Sequence, residues 1–487
     1  MNKILCNMLA LLIFFSLGGF VLIVSAQQLS NASQEITGIE GIWEGKLQVP
    51  GAELRIVYRM TKITEKELIA TMDSPDQGVT GIPVDEVIFK DHSLRLIVKS
   101  IGGLFEGKVS EDFSIIEGIW QQSGASFPLL LQRIEKPIEI RRPQEPEKPY
   151  PYIEEEVKYD NQEAKITLAG TLTLPGGEGP FPAVILISGS GPQDRNEAIA
   201  GHRPFLVLAD YLTRQGIAVL RFDDRGVGES TGDFTQATSE DFASDALAGI
   251  VYLKTRKEVN SQQIGLLGHS EGGLIAPLVA VQSSDVAFIV LMAGPGLIGE
   301  EILSLQSALI SRVMGASEEE IIRNQRYNET IYSLIKEEED EEILVKELYQ
   351  IFTDYFNELS EEEKDRIGDA EVYFNAQLQS LLSPWFKYFL IYDPKPALSK
   401  VKCPVLAING GNDLQVPPAE NLSAIEKALI AGGNSDFMIR ELAGLNHLFQ
   451  TADTGSPDEY ARIEETISPD VLKLISDWIL VHTLDVE

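Results

Sequence analysis

From about Gly38 to Arg133 apolar and polar residues alternate in short runs separated by turn residues. The runs are Lys46–Val49, Leu54–Met60, Glu67–Met72, Glu86–Phe89, Ser93–Val98, Leu104–Val109, Ser114–Trp120 and Phe127–Leu131. A period of two places every second side chain on one face of a strand. The spacing therefore predicts a small antiparallel β domain over residues 38–134. Gly41-Ile42-Trp43 and Gly118-Ile119-Trp120 echo each other within it. Both tryptophans are read as core fillers, because aromatic rings carry the largest buried area per residue.

Residues 135–151 carry five prolines, Pro137, Pro143, Pro146, Pro149 and Pro151, among charges. Proline lacks an N–H and stiffens the chain, so this stretch predicts a linker between domains. Beyond it the pattern changes to apolar runs alternating with helical periodicity. Strands are expected at Lys165–Leu174, Ala183–Ser188, Ala218–Phe222, Ile264–Gly268, Ala287–Leu291, Val405–Asn409 and Asp436–Glu441, and helices at Pro204–Gln215, Ser239–Thr255 and Gly272–Val281. Strand and helix in alternation predict an α/β domain over 152–487, a mostly parallel sheet with helices on both faces. Chemistry in such sheets gathers at the carboxyl ends of the strands. One interval departs from the alternation: residues 298–395 read as helix throughout, a cap-like insertion between two strands. Ser317 with Glu320 and Ser360 with Glu363 fit capping boxes within it.

With 44% hydrophobic and 23% charged residues, the 487-residue chain has the composition of a folded, water-soluble protein large enough for two domains. Its 74 acidic against 40 basic residues give a net charge of −34, a field that repels phosphate backbones and speaks against nucleic-acid partners. The insertion holds 22 acids and 9 bases, hence 13 of those 34 net charges. Its run Glu337–Glu342 reads as a solvated surface. Residues 1–26 read as an export signal: Lys3 precedes an apolar stretch, and Val24-Ser25-Ala26 supplies a small-residue cleavage point. The mature chain is then expected in the periplasm or outside the cell, without stable membrane association. An uncleaved N-terminal membrane anchor is the alternative. Cys6 falls inside the signal, which leaves Cys403 alone and excludes an intrachain disulfide framework or a multi-cysteine metal site.

The chemistry centres on Gly268-His269-Ser270-Glu271-Gly272, which follows one expected strand and opens a helix. A serine at a tight strand-to-helix turn, with glycines where side chains would collide, is a nucleophile elbow. The serine requires a base from among His92, His202, His269, His447 and His482. His92 lies in the β domain, His269 sits in the elbow facing away from the serine, and His482 lies in the C-terminal tail. His202 follows the loop after Ser188. The chain order serine, acid, histidine selects His447, in the loop Gly444–His447. The acid is then Asp413, in the glycine-containing loop after Val405–Asn409, in preference to Asp393 and Asp436. The backbone N–H groups of Ser190, in Ser188-Gly189-Ser190-Gly191-Pro192, and of Glu271 are the expected oxyanion donors. Trp385, Phe386 and Tyr388, where the insertion returns to the sheet, are candidate substrate contacts, with packing as the equally available reading. Asp224-Arg225-Gly226-Val227-Gly228-Glu229-Ser230 lacks the Gly-Lys-Ser/Thr ending of a phosphate loop and reads as a structural turn. No metal or cofactor is expected.

From about Ile153 onward the chain resembles exported bacterial α/β-hydrolases of the serine-aminopeptidase-like and carboxylesterase families. The resemblance rests on Ser188–Asn196, Phe222–Ser230, the elbow, Ser383–Leu390 and Gly410–Pro417. Where many such proteins carry His-Gly this chain has Ser188-Gly189. The Gly-X-Trp of the β domain resembles lipocalin-like barrels. The resemblance implies an α/β-hydrolase fold with a helical cap and a serine esterase that hydrolyses a small-molecule ester through an acyl-enzyme. A serine peptidase or aminopeptidase, and a binding protein with a vestigial hydrolase domain, are the other two readings.

Overall fold

The computed structural model describes residues 38–483, except 50–51, 65–66, 76–78, 123–124, 137–141 and 368–369. The expected export signal lies outside the described residues. Two compact units emerge: the described residues up to Arg141 together with Val345–Leu378, and Arg142–Leu344 together with the described residues from Gln379 onward.

The first unit contains nine strands: β1 (Gly41–Val49), β2 (Ala52–Thr64), β3 (Glu67–Ser74), β4 (Val79–Val84), β5 (Glu86–Lys90), β6 (Ser93–Val98), β7 (Gly103–Val109), β8 (Ile115–Gln122) and β9 (Ala125–Ile134). They form one antiparallel sheet in the order β4-β3-β2-β1-β9-β8-β7-β6-β5. β3 approaches β5 and β4 approaches β6, so the sheet curls around its own core. Trp43 pairs across the strands with Tyr58, and Phe105 with Trp120; all four are buried. The Trp43 indole N–H donates to the Ile39 carbonyl at 2.9 Å, which satisfies its one polar group inside the core. β4 was not expected from the sequence, because Gly81 and Pro83 interrupt its alternation.

In the second unit eight strands, β10 (Ile153–Asn161), β11 (Ile166–Leu174), β12 (Phe181–Ile187), β13 (Ala218–Phe222), β14 (Val259–His269), β15 (Ile289–Met292), β16 (Val405–Gly410) and β17 (Phe437–Leu442), lie in the order β10-β11-β13-β12-β14-β15-β16-β17. β10 and β11 are antiparallel, and the six strands from β13 to β17 run parallel. β13, β15 and β16 are buried at every position, as a strand covered on both faces must be. Each Val, Leu or Ile so buried contributes ~1.5–3 kcal/mol of transfer free energy. Register brings the strand ends level: Ile187 lies opposite Gly268, His269 opposite Met292, and Met292 opposite Ile408. The loops leaving β12, β14, β15 and β16 therefore start from one level of the sheet.

Helices α1 (Pro204–Arg214), α2 (Ser239–Leu253) and α3 (Glu271–Gln282) connect the strands, and the regular elements described between β15 and β16 are all helices. That interval comprises α4 (Gly299–Val313), α5 (Glu318–Glu337), α6 (Glu341–Glu358), α7 (Glu361–Ile367), α8 (Ala370–Leu381), α9 (Pro384–Ile391) and α10 (Lys395–Leu398). Ser317 caps α5 through the reciprocal bonds expected with Glu320. Helices α11 (Pro418–Ala431) and α12 (Pro469–Thr483) complete the chain. Among the described residues no helix is long and apolar enough to cross a membrane.

The second half of the proline-rich stretch is fastened to the second unit rather than free. Arg142 donates to the carbonyls of Ala200, Gly201, Ala461 and Ile463, and Gln144 bridges Thr466 and Ile467. Beside it His202 is 1% exposed, with Nδ1 2.9 Å from Thr466 Oγ1 and Nε2 2.9 Å from the Tyr460 carbonyl. Burial, and then the positive charge of Arg142, push its pKa down to about 4 from an ordinary 6.5. The unfolded chain takes up this proton at a higher pH than the folded one. The stability at stake is thus complete above pH 6.5 and is lost as pH falls toward 4, by about 3 kcal/mol. Urea unfolding across this window should show a shallower pH dependence for His202→Asn than for the parent protein. Parallel curves would exclude His202 as a source of acid lability.

Candidate active site

The elbow is built by close backbone approach. β14 ends at His269 and α3 begins at Glu271, which leaves Ser270 alone at the turn with φ 53° and ψ −118°. This is a region that L-residues enter only under constraint. Its N–H donates to the Met292 carbonyl at 2.8 Å, so β15 holds the turn in place. A Cβ on Gly268 would stand 1.9 Å from the Gly272 carbonyl oxygen, and one on Gly272 would stand 2.1 Å from that of Ile187. Those two positions can be nothing but glycine.

Asp413 and His447 come from loops 34 residues apart, and they meet. His447 Nδ1 lies 2.8 Å from Asp413 Oδ2, with the two residues 3% and 2% exposed. A carboxylate oxygen only accepts, so the ring hydrogen is on Nδ1 and Nε2 is left with its lone pair. Asp413 Oδ1 accepts the N–H groups of Gln415 and Val416 at 2.8 and 2.9 Å, which fixes the carboxylate from the other side. The loop that carries His447 is shaped by Asn446, whose Oδ1 accepts from the N–H groups of Leu448 and Gln450 at 3.0 Å.

The loop after β12 rests on carboxylates from Phe222–Ser230. Asp224 accepts from Ser188 Oγ and from the Gln193 N–H, both at 2.9 Å. Burial pushes its pKa well above the usual range. Asp223 accepts three hydrogen bonds from Arg195, one from its backbone N–H at 2.9 Å and two from its guanidinium at 3.0 and 2.7 Å. There burial pushes the carboxyl up, but the bonds from Arg195 and Glu229 outweigh it and the net shift is downward. The stretch is thus a structural turn, and what it braces is the expected oxyanion loop. Ser188 therefore serves as a ligand of Asp224. Gly189 comes close to Ser270, since a Cβ there would stand 3.2 Å from Ser270 Cβ. The Gly189 N–H is taken by Glu197 Oε1 at 2.7 Å.

Glu271 is 2% exposed, and its carboxylate accepts from Ser239 Oγ at 2.6 Å and from the Trp385 indole N–H at 2.8 and 2.9 Å. Burial pushes this carboxyl up, against the hydrogen bonds from Ser239, Trp385 and Ser190 that hold it down. Phe386 is 2% exposed and packs on Tyr332, 6.1 Å between ring centroids. Tyr388 is half-buried, with its hydroxyl 3.3 Å from Glu240. Of the three aromatic candidates, one therefore holds the residue after Ser270, one packs helices, and one is half-buried. Sequence reasoning set His269 aside as facing away from the serine. In the structure its ring stands 4.9 Å from that of His447, tilted by 46°. His269 thus lies against His447. Among the described residues no three His, Cys, Asp or Glu side chains cluster as metal ligands.

Comparison with known proteins bears on the second unit. Residues 203–340 match the family model described as serine aminopeptidase, S33. Esterase EstD of Thermotoga maritima is 28% identical over 317 residues, which cover 64% of this chain; the chain spans 65% of that esterase. An esterase of Pyrococcus furiosus superposes with a TM-score of 0.41 at 16% identity, covering 68% of this chain and 91% of the other. The α/β hydrolase GrgF of a Penicillium species gives 0.41 at 17%, covering 68% and 99%. A mostly parallel sheet entered through two antiparallel strands, with a serine at the tight turn after β14, is the α/β-hydrolase fold, and residues 203–340 within it resemble the serine aminopeptidase family.

Proposed function

We propose that the chain is a serine hydrolase that cleaves carboxylic esters through an acyl-enzyme on Ser270, Asp413 and His447. The pairing of His447 Nδ1 with Asp413, with the elbow serine at the end of β14 in the same sheet, carries this reading. His447 Nε2 takes the Ser270 proton as Oγ attacks the ester carbonyl; Asp413 keeps the ring in the tautomer that can do so and offsets the charge that forms. The oxyanion is received by the N–H groups of Ser190 and Glu271. Gly189 is excluded as a donor because Glu197 already holds its N–H. The same proton then passes from His447 to the leaving alcohol, and water repeats the sequence to release the acid. The likeness to a Thermotoga esterase supports ester over peptide bond. Residues 1–26 are read as the signal that exports the enzyme.

The test is a panel of p-nitrophenyl esters of increasing acyl length beside aminoacyl p-nitroanilides, with fluorophosphonate labelling. The expected outcome is turnover of the esters, at least a hundredfold weaker turnover of the anilides by the order of one polar-recognition difference, and label on Ser270. Faster cleavage of the anilides would make the protein a peptidase. Absence of both label and turnover would leave it a binding protein.

A further inference from the structure

His269 is a buried histidine beside the proposed triad that the mechanism above does not use. It is 6% exposed and directly precedes Ser270. Its Nδ1 lies 2.9 Å from Glu197 Oε1, and its Nε2 lies 3.0 Å from the backbone oxygen of His447. A carboxylate oxygen and a carbonyl oxygen both accept and neither donates. A neutral ring, with a single N–H, would leave lone pairs facing each other at one of the two contacts. Both contacts are satisfied when both nitrogens carry hydrogen, which makes His269 an imidazolium and Glu197 its counter-ion.

Glu197 does more than balance charge. The same Oε1 accepts the Gly189 N–H, and the residue is 3% exposed with φ 51°, a strained setting for a side chain of this size. Phe205, Leu208, Met292 and Leu448 line the small cavity beside the two side chains, so water does little to screen them. Three segments meet on the pair: the loop after β12 through Gly189, the elbow through His269 itself, and the base loop after β17 through the carbonyl of His447.

We infer that Glu197 and His269 form a buried charge pair that positions the triad, pinning the backbone of His447 to the residue before Ser270 and turning the Gly189 N–H away from the oxyanion. The inference rests on the triad reading. Neither residue touches the ester, so both are positioning residues. The groups acting on the ring are Glu197 from the loop after β12, Asp413 from the loop after β16 and His447 from the loop after β17. Burial alone pulls the His269 pKa down; the charge and hydrogen bond of Glu197 outweigh it, and the net shift is upward. The charge pair is favourable only where both hydrogen bonds form, because a buried pair without them does not recover its desolvation.

The full-length protein labelled with ¹⁵N-histidine tests this, its five histidines giving few signals. His269, identified by the signal lost in His269→Gln, should show both ring nitrogens protonated at about pH 8, where an ordinary imidazole is neutral. In Glu197→Gln, which keeps an acceptor for Gly189, the ring should be neutral at that pH. Turnover of p-nitrophenyl acetate by this variant should fall in kcat by about 10- to 100-fold, the scale of a misplaced catalytic group, with KM little changed. A neutral His269 in the parent protein overturns the charge pair, and Glu197→Gln with parental kcat overturns the positioning role. Should Glu197→Gln not fold, the spectrum of the parent protein and the kinetics of His269→Gln decide it. A parent protein that fluorophosphonate does not label at Ser270 would remove the triad reading instead, a separate failure.

Discussion

Ser270→Ala and His447→Ala should each reduce ester turnover by on the order of 10⁶-fold in kcat, because the members of a triad act as one unit and lose their effect together. The melting temperature should hold in Ser270→Ala, since the N–H to Met292 that fixes the turn belongs to the backbone. Asp413→Asn is the more telling variant. Its Oδ1 can still accept from Gln415 and Val416, so the loop survives, but the amide NH₂ then faces His447 Nδ1 where a carboxylate had been. That donor forces the ring hydrogen onto Nε2, the nitrogen that must take the serine proton, and a loss of about 10⁴-fold follows. Asp413→Ala should in addition cost stability, because two buried N–H groups lose their acceptor at about 1–3 kcal/mol each. Turnover by Ser270→Ala at the parental rate, with no contaminating enzyme, would show that the nucleophile lies elsewhere.

What the sequence carried, it carried where the signal is local. The elbow is five consecutive residues between a strand and a helix, and the Asp413 and His447 loops each follow a strand with a clear apolar run. β10 escaped notice because Ile-Glu-Glu-Glu-Val-Lys-Tyr-Asp-Asn buries only Val157, Tyr159 and Asn161 on one face of an edge strand. β4 escaped because a glycine and a proline stand where alternation would be read. Glu197 lies 72 residues from His269 and inside a loop without periodicity, so nothing in the chain near either residue announces their pairing. The same holds for Asp224 beneath Ser188, 36 residues away. Such contacts depend on the register of β12 against β14 and of β16 against β17, and that register is a property of the folded sheet.

Trp385 brings the cap-like insertion and the elbow together, and its substitution should be the most destabilising change outside the sheet core. It is 8% exposed, stacks on Phe389 at 5.2 Å and 12°, and gives its indole N–H to both oxygens of the Glu271 carboxylate. Trp385→Ala removes the ring and strips a buried carboxylate of one donor, for an expected loss of ~3–5 kcal/mol. Trp385→Phe keeps the stacking and loses only the N–H, so about 1–3 kcal/mol is expected. Because Glu271 opens α3 immediately after Ser270, either change shifts the backbone N–H proposed to receive the oxyanion. Short and long acyl esters should then lose rate together, in proportion to the loss of stability. A residue lining an acyl pocket would behave differently: the smallest ester would be spared, longer chains would lose about 10- to 200-fold, and the melting temperature would stay put. Tyr388→Phe supplies the contrast, since a half-buried ring with one long hydrogen bond to Glu240 should leave stability within about 0.5 kcal/mol of the parent. Melting curves and the ester series on Trp385→Ala, Trp385→Phe and Tyr388→Phe separate the two roles. A changed chain-length preference at unchanged stability in Trp385→Phe would return Trp385 to the substrate pocket.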